Sequence, residues 1–277
     1  MGDYVELPGV RTWYETDGAG DPLLLLHGGL CTNETWQAQR ADFAANFRVL
    51  LPERRGHGHT PDVDGPLSYQ DMADDTVAFI EEVVGGPAHL VGWSDGGVIA
   101  LLVAIARPDL VRKVVAIGAN FLPSPQSGAA PEMLDQMAPD DLTMFREAYE
   151  AVSPDGAAHW PVVVGKLAAM FRTEPTIRTE DLARITAPTL VLVGDDDLIT
   201  LEHTIALYRA IPGSQLAVVP GTSHALLMEK PGEVNRIILD FLAKEPILTM
   251  LPIRRSPAAT TAGTGGSTPV DVTRRRA

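Results

Sequence analysis

Gly92-Trp93-Ser94-Asp95-Gly96 is the stretch on which the reading of this chain turns. The short run His89-Leu90-Val91 leads into it, and a helix-forming segment, Val98 to Ala106, leads out. A serine at the tip of a strand-to-helix turn stands clear of its sheet, and flanking glycines permit a backbone bend that side chains would block. By chance, Gly-x-Ser-x-Gly occurs on the order of 0.1 times in a chain of this composition, so a base and an acid must accompany it before it means anything. Without them the stretch is a glycine-rich turn.

Both are present. Val218-Val219-Pro220-Gly221-Thr222-Ser223-His224 reads as a strand running into a loop that ends on a histidine, with a helix from about Pro231 to Leu242 behind it. Upstream, Thr189-Leu190-Val191-Leu192-Val193-Gly194 is a buried-strand run that stops at Asp195-Asp196-Asp197. A neutral hydroxyl is a poor nucleophile, so an imidazole must take its proton during attack and return it to the leaving group. A carboxylate on the other ring nitrogen keeps the imidazole in one tautomer and stabilises its cation. The chain order of serine, acid and histidine is that of the α/β-hydrolase triad.

These residues resemble the α/β-hydrolase family, and the resemblance covers roughly Val5 to Phe241. Leu23-Leu24-Leu25-Leu26-His27-Gly28-Gly29 is similar to the family's strand 3 with its oxyanion loop, and Arg55-Gly56-His57-Gly58-His59-Thr60 to the turn after strand 4. The resemblance implies an α/β fold with a mostly parallel eight-stranded sheet flanked by helices and a helical cap inserted after strand 6. It implies Ser94 as nucleophile, His224 as base and Asp197 as the acid, since the family's acid stands in Gly-x-x-Asp. It also implies that the backbone N–H groups of Asp95 and Gly29 hold the oxyanion, with Leu30 the alternative if the loop is shifted by one residue. Neither cofactor nor metal is implied. His57 and His59 lie in a polar turn without a metal-type spacing, His27 reads as a loop brace, and His89, His159 and His203 as surface or packing residues.

Leu90-Val91-Gly92-Trp93-Ser94-Asp95-Gly96-Gly97, with Ile117-Gly118-Ala119-Asn120, resembles the biphenyl hydrolase-like group that includes valacyclovir hydrolase. That resemblance implies an amino-acid ester substrate whose ammonium pairs with the Asp95 carboxylate, a pairing in which neither charge is desolvated alone. A second reading has Asp95 capping or bracing the first turn of its own helix. Both stand open from the residues.

The expected function is cleavage of a small carboxylic ester through an acyl-enzyme, with water as the second substrate. The same residues serve carbon–carbon bond hydrolases, lactonases and perhydrolases, and the fold also serves receptors that bind small ligands without turnover. Haloalkane dehalogenases and epoxide hydrolases need a carboxylate where this elbow carries Ser94.

Composition agrees. The 277 residues suit one large α/β domain, and 45% hydrophobic content is ordinary for a globular chain. No apolar run approaches the roughly 20 residues of a membrane helix, and Met1-Gly2-Asp3-Tyr4-Val5-Glu6 has neither the basic region nor the apolar core of a signal peptide. Cys31 is the single cysteine, which fits a cytoplasmic setting and a packing role. The net charge of −14 disfavours nucleic acid and anionic membranes as partners. The segment from Thr249 runs against that charge, with Arg254, Arg255, Arg274, Arg275 and Arg276 facing only Asp271.

Strand and helix signals alternate along the chain: Val10 to Glu15, Arg48 to Leu51 and Lys113 to Ile117 as strands, Tyr69 to Val84 as an amphipathic helix. From Phe121 to Arg184 the text is proline-punctuated and helix-forming, with Pro131 to Met137, Asp140 to Ala151 and Trp160 to Phe171 as candidate helices. The expected division is a core of 1–120 and 185–246, a cap of 121–184 and a disordered tail of 247–277. Met133, Met137, Met144, Phe145, Trp160 and Met170 are the candidate lining of the cap, with Met137 and Trp160 expected at the substrate beside Asp95.

Overall fold

The computed structural model describes residues 2–123, 127, 142–244 and 249–251. The strands are β1 (Gly2–Leu7), β2 (Val10–Asp17), β3 (Asp21–Leu26), β4 (Phe47–Pro52), β5 (Ala88–Trp93), β6 (Val111–Ile117), β7 (Thr189–Asp196) and β8 (Gln215–Ser223). They form one eight-stranded sheet in the order β1-β2-β4-β3-β5-β6-β7-β8. Pairing is antiparallel at β1/β2 and β2/β4 and parallel from β4 through β8.

The continuous apolar runs explain the parallel part, since a parallel strand is covered on both faces. Leu24, Leu26, Leu50 and Leu90 pack on one side with Met72, Phe79, Val98 and Leu101. Leu23, Leu25, Val49 and Val91 pack on the other with Trp36, Phe43, Ile238 and Phe241. The period of two within Leu23–Leu26 therefore divides one strand between two cores.

The helices that matter here are α1 (Gln37–Ala44), α2 (Tyr69–Phe79), α3 (Asp95–Ala106), α4 (Thr143–Val152), α5 (Trp160–Thr173), α6 (Thr179–Leu182), α7 (Leu201–Ala210), α8 (Leu226–Glu229) and α9 (Pro231–Ala243). Ser68 caps α2 by accepting from the Asp71 N–H. The helix then widens over Ile80–Val84 and stops at Gly85, in the left-handed conformation. Helix α3 begins at Asp95, three residues before the apolar run Val98 to Ala106, because the turn at Ser94 passes straight into it. The segment between β6 and β7 is helical where it is described, as its composition predicts. The reading of a helix at Pro131 to Met137 and that of a tail over 247–277 lie outside the described residues, except for 249–251.

Asp62, in the loop after β4, ties this helical segment to the sheet. Its Oδ2 accepts from His159 Nε2 at 2.8 Å and from Lys166 Nζ at 2.7 Å, and its carboxyl is held below the usual range despite its burial, chiefly by Lys166. His159 thus hydrogen-bonds a buried carboxylate, whereas the sequence reading left it as surface or packing.

Backbone packs closely on backbone at the elbow. A Cβ on Gly96 would lie 2.0 Å from the Leu26 carbonyl oxygen, and one on Gly92 would lie 2.0 Å from that of Gly96. Backbone rather than side chain is the obstacle, so nothing cheap can move aside. Gly96→Ala is expected to cost about 3 kcal/mol or more of stability by overpacking. Gly165→Ala, on α5 where nothing lies within 4 Å, is expected to gain about 0.5–1 kcal/mol. Thermal unfolding of the two variants checks the contrast, and a Gly96→Ala protein as stable as wild type would contradict it.

Candidate active site

Ser94 sits at the carboxyl end of β5 with φ 55° and ψ −120°, a left-handed backbone on a non-glycine residue. Such strain persists only where the surroundings over-determine it. Here the Ser94 N–H donates to the Ile117 carbonyl at 2.8 Å, and the Ser94 carbonyl accepts from Gly97 and Val98 at 2.8 and 3.2 Å. The side chain is half-buried.

Asp197 and His224 follow β7 and β8, two strands at the same end of the sheet. His224 Nδ1 lies 2.7 Å from Asp197 Oδ1, whose side chain is fully buried. The three consecutive aspartates are thereby separated: Asp195 accepts from the Thr222 N–H, Asp195 and Asp196 are both exposed, and only Asp197 meets the imidazole. Asp197 Oδ1 also accepts from the Ile199 N–H at 3.0 Å. Trp93, the neighbour of Ser94, donates its indole N–H to the His224 carbonyl at 2.9 Å, and their rings lie 5.4 Å apart. Gly118 lies under the imidazole, where a Cβ would be 2.9 Å from His224 Cε1. Among the described residues the Ser94 hydroxyl has no hydrogen-bond partner, so the contact that the triad needs most is not formed in this state. Catalytic hydrogen bonds are often long or misaligned before substrate binds.

The loop after β3 is braced from beneath. His27 donates from Nδ1 to the Gly28 carbonyl at 2.8 Å and accepts at Nε2 from the Arg54 N–H at 3.2 Å. The Arg54 guanidinium donates to the His27 carbonyl and, at 2.8 Å, to the Gly28 carbonyl. Leu30, at φ 61°, donates its N–H to His57 Nε2 at 3.2 Å. That bond removes Leu30 as an oxyanion donor, while the N–H groups of Gly29 and Asp95 have no acceptor among the described residues. Burial first, then the charge of Arg54, pushes His27 well below the ordinary imidazole value and His57 down to about 3. Both are neutral braces.

Asp95 is buried at 4% exposure, with Tyr69 Oη donating to its Oδ1 at 2.8 Å. Its Oδ2 is buried without a partner among the described residues and lies against the oxyanion loop, 2.6 Å from where a Cβ on Gly29 would stand. Burial raises its carboxyl; the nearby Arg54 charge opposes this most, then Tyr69. No side chain caps α3, so the reading of Asp95 as a cap on its own helix is replaced by a tie to α2 through Tyr69.

The expected lining is redistributed. Phe171 Cζ lies 2.8 Å from the same Cβ position on Gly29, and the sequence reading did not single it out. Trp160 packs on Tyr149 with centroids 5.3 Å apart. Met170 belongs to the core, Phe145 packs against both cores, and Met144 is 69% exposed. Met133 and Met137 lie outside the described residues. His59 bonds to Glu53 and stacks on Trp13, and His203 accepts from the Phe121 N–H. Cys31 is buried, with its thiol pushed up to about 11 by desolvation, as a packing role requires. Arg54 and Tyr69 were missed because nothing in their sequence neighbourhood says what they reach. The one available signal was the doubled Arg54-Arg55, of which Arg55 pairs with Asp75.

The model of the "Alpha/beta hydrolase family" matches residues 23–237. The chain belongs to this family. It is 28% identical over 257 residues to the human serine hydrolase BPHL, covering 86% of this chain and 85% of that protein. It is 29% identical over 266 residues to a putative non-heme chloroperoxidase of Synechocystis sp., covering 84% and 95%. Among solved structures it is similar to a thermophilic esterase from Thermogutta terrifontis, with TM-score 0.67, 26% identity, and 88% and 98% of the two chains covered. Relatives named as hydrolases place this α/β hydrolase among enzymes. Among the described residues no helix is long and apolar enough to cross a membrane.

His57 at about 3, and His89 and His203 at about 4, all lie below the ordinary 6.5. Unfolded chain therefore binds protons that the folded chain refuses between about pH 6.5 and 4. Each of the three histidines is expected to withdraw stability on acidification through that window, by at most about 1.4 kcal/mol per pH unit. The His57 ring resonances are expected to stay those of a neutral imidazole from pH 7 to pH 5. Titration of His57 near pH 6.5 would contradict its burial.

Proposed function

We propose that this α/β hydrolase cleaves small carboxylic esters through an acyl-enzyme, with Ser94 as nucleophile, His224 as general base and then acid, and Asp197 orienting His224. The observation that carries the reading is the pairing of a positive-φ serine at the β5–α3 turn with a buried carboxylate–imidazole pair on the neighbouring loops. Contact between the Ser94 hydroxyl and the imidazole, formed on substrate binding, completes the relay. The oxyanion is held by the N–H groups of Gly29 and Asp95, neither of which has an acceptor among the described residues. Water, activated by the same histidine, releases the acid. The segment 121–184, helical over α4, α5 and α6, acts as a cap over this site on a core of 1–120 and 185–246, and the setting is the cytoplasm.

The acyl side of the substrate carries a hydrogen-bond donor, an amino-acid ammonium above all, directed at Asp95 Oδ2. A buried carboxylate oxygen without a donor costs about 1–3 kcal/mol, and a substrate that supplies one recovers it. Arg54 lowers the net charge of the pocket, so the expected preference is moderate rather than absolute. BPHL and the thermophilic esterase, named as serine hydrolase and esterase, support the ester reading.

Ser94→Ala is expected to abolish ester turnover, and a fluorophosphonate to label Ser94 in the wild type. Folded wild-type protein that stays unlabelled would sink the mechanism. For the substrate, amino-acid esters are expected to exceed their des-amino analogues in kcat/KM by about tenfold, the worth of one such polar contact, and Asp95→Asn to erase the difference. An unchanged preference in Asp95→Asn removes the ammonium site and leaves the esterase standing.

A further inference from the structure

Arg54 is 5% exposed, and among the described residues no carboxylate forms an ion pair with it. A guanidinium taken out of water at that cost spends its donors on backbone: Nη1 on the carbonyl of His27 and Nη2 on that of Gly28, at 2.8 Å. The Gly28 oxygen also accepts from His27 Nδ1 at 2.8 Å and from the Cys31 N–H at 3.3 Å, so its lone pairs are fully engaged. That oxygen and the Gly29 N–H are the two ends of one planar peptide unit.

We propose that Arg54 is a positioning residue of the oxyanion hole, acting through the peptide that joins Gly28 to Gly29. Two side-chain donors on the carbonyl, added to the longer Cys31 N–H bond, fix the plane of that peptide and so the direction of its N–H. One donor is cationic, and a charge-assisted bond to the oxygen draws electron density from the nitrogen end, which makes the N–H a stronger donor. The neighbouring Leu30 N–H is tied back to His57 and the Cys31 N–H to the Gly28 carbonyl, while the Gly29 N–H is uncommitted among the described residues. The inference rests on the reading of Gly29 as an oxyanion donor.

The test compares wild type, Arg54→Gln and Arg54→Lys in the full chain, using a p-nitrophenyl ester and a trifluoromethyl ketone that forms a hemiketal oxyanion with Ser94. Removing an oxyanion donor outright costs about 100- to 1000-fold in kcat. Arg54→Gln, which leaves the donor in place but unaimed, is expected to cost roughly 10- to 100-fold in kcat and in ketone affinity, with KM within about threefold of wild type. Arg54→Lys, which keeps the charge and loses the fork, is expected to recover part of the loss. Wild-type kcat and ketone affinity in Arg54→Gln, or a loss confined to KM, overturns the proposal while the esterase reading stands. Absence of fluorophosphonate labelling at Ser94 in wild type is the separate failure of that reading. If neither variant folds, the Gly29 amide nitrogen of 15N-glycine wild-type protein carries the test. It is expected downfield of ordinary glycine, and an ordinary shift overturns the proposal.

Discussion

Three stretches of backbone meet at one point: the end of β3, the end of β5 and the first turn of α3. The Gly96 backbone stands so close to the Leu26 carbonyl that no side chain fits between them. This contact holds Ser94 at φ 55° against a local preference that costs about 1–3 kcal/mol, and it sets the Asp95 N–H beside the loop that carries Gly29. If the elbow opened, Ser94 would lose its place at the tip of the turn and the Gly29 and Asp95 amides would part. The packing of both faces of the sheet, from Leu23 to Leu26 and across Leu90 and Val91, keeps it closed.

Around the elbow lies a buried polar layer that is unusual for its distribution of charge. Arg54 and Asp95 are both below 6% exposure, yet they are not an ion pair. Arg54 serves the carbonyls of the oxyanion loop, and Asp95 is held by Tyr69 with one oxygen unpartnered. Each is the other's main electrostatic compensation at a distance. Burial without contact leaves Asp95 able to take a donor from a ligand and leaves the guanidinium free to polarise a peptide. The neutral rings of His27 and His57, 5.1 Å apart, brace the same loop as donors and acceptors without charge of their own.

Periodicity and motif, together with the family resemblance they carry, made the architecture legible. The Leu23–Leu26 run, the strand before Asp195 and the elbow named a mostly parallel sheet and its catalytic end, because hydrophobic patterning and glycine placement are local properties of the chain. Position along the chain also paired His224 with an acid, and the choice of Asp197 from three aspartates followed the resemblance; the 2.7 Å bond agrees with it. The cap lining was less legible. Trp160 packs on Tyr149 and Met144 faces out, while Phe171 reaches Gly29, since helix rotation within an insertion is fixed by packing partners that lie far away in sequence.

What the sequence determined by itself is the set of elements, their order, and the chemical types gathered at the carboxyl end of the sheet. What the tertiary structure decided is which polar atoms are committed. Leu30 is excluded as a donor because His57, 27 residues away, takes its N–H. Arg54 becomes part of the site because a turn after β4 lies under the loop after β3, and Asp95 is held by Tyr69 from another helix. The physical reason is the same in each case: a hydrogen bond depends on a few tenths of an ångström and an angle between groups distant along the chain, and neither is written in the order of residues.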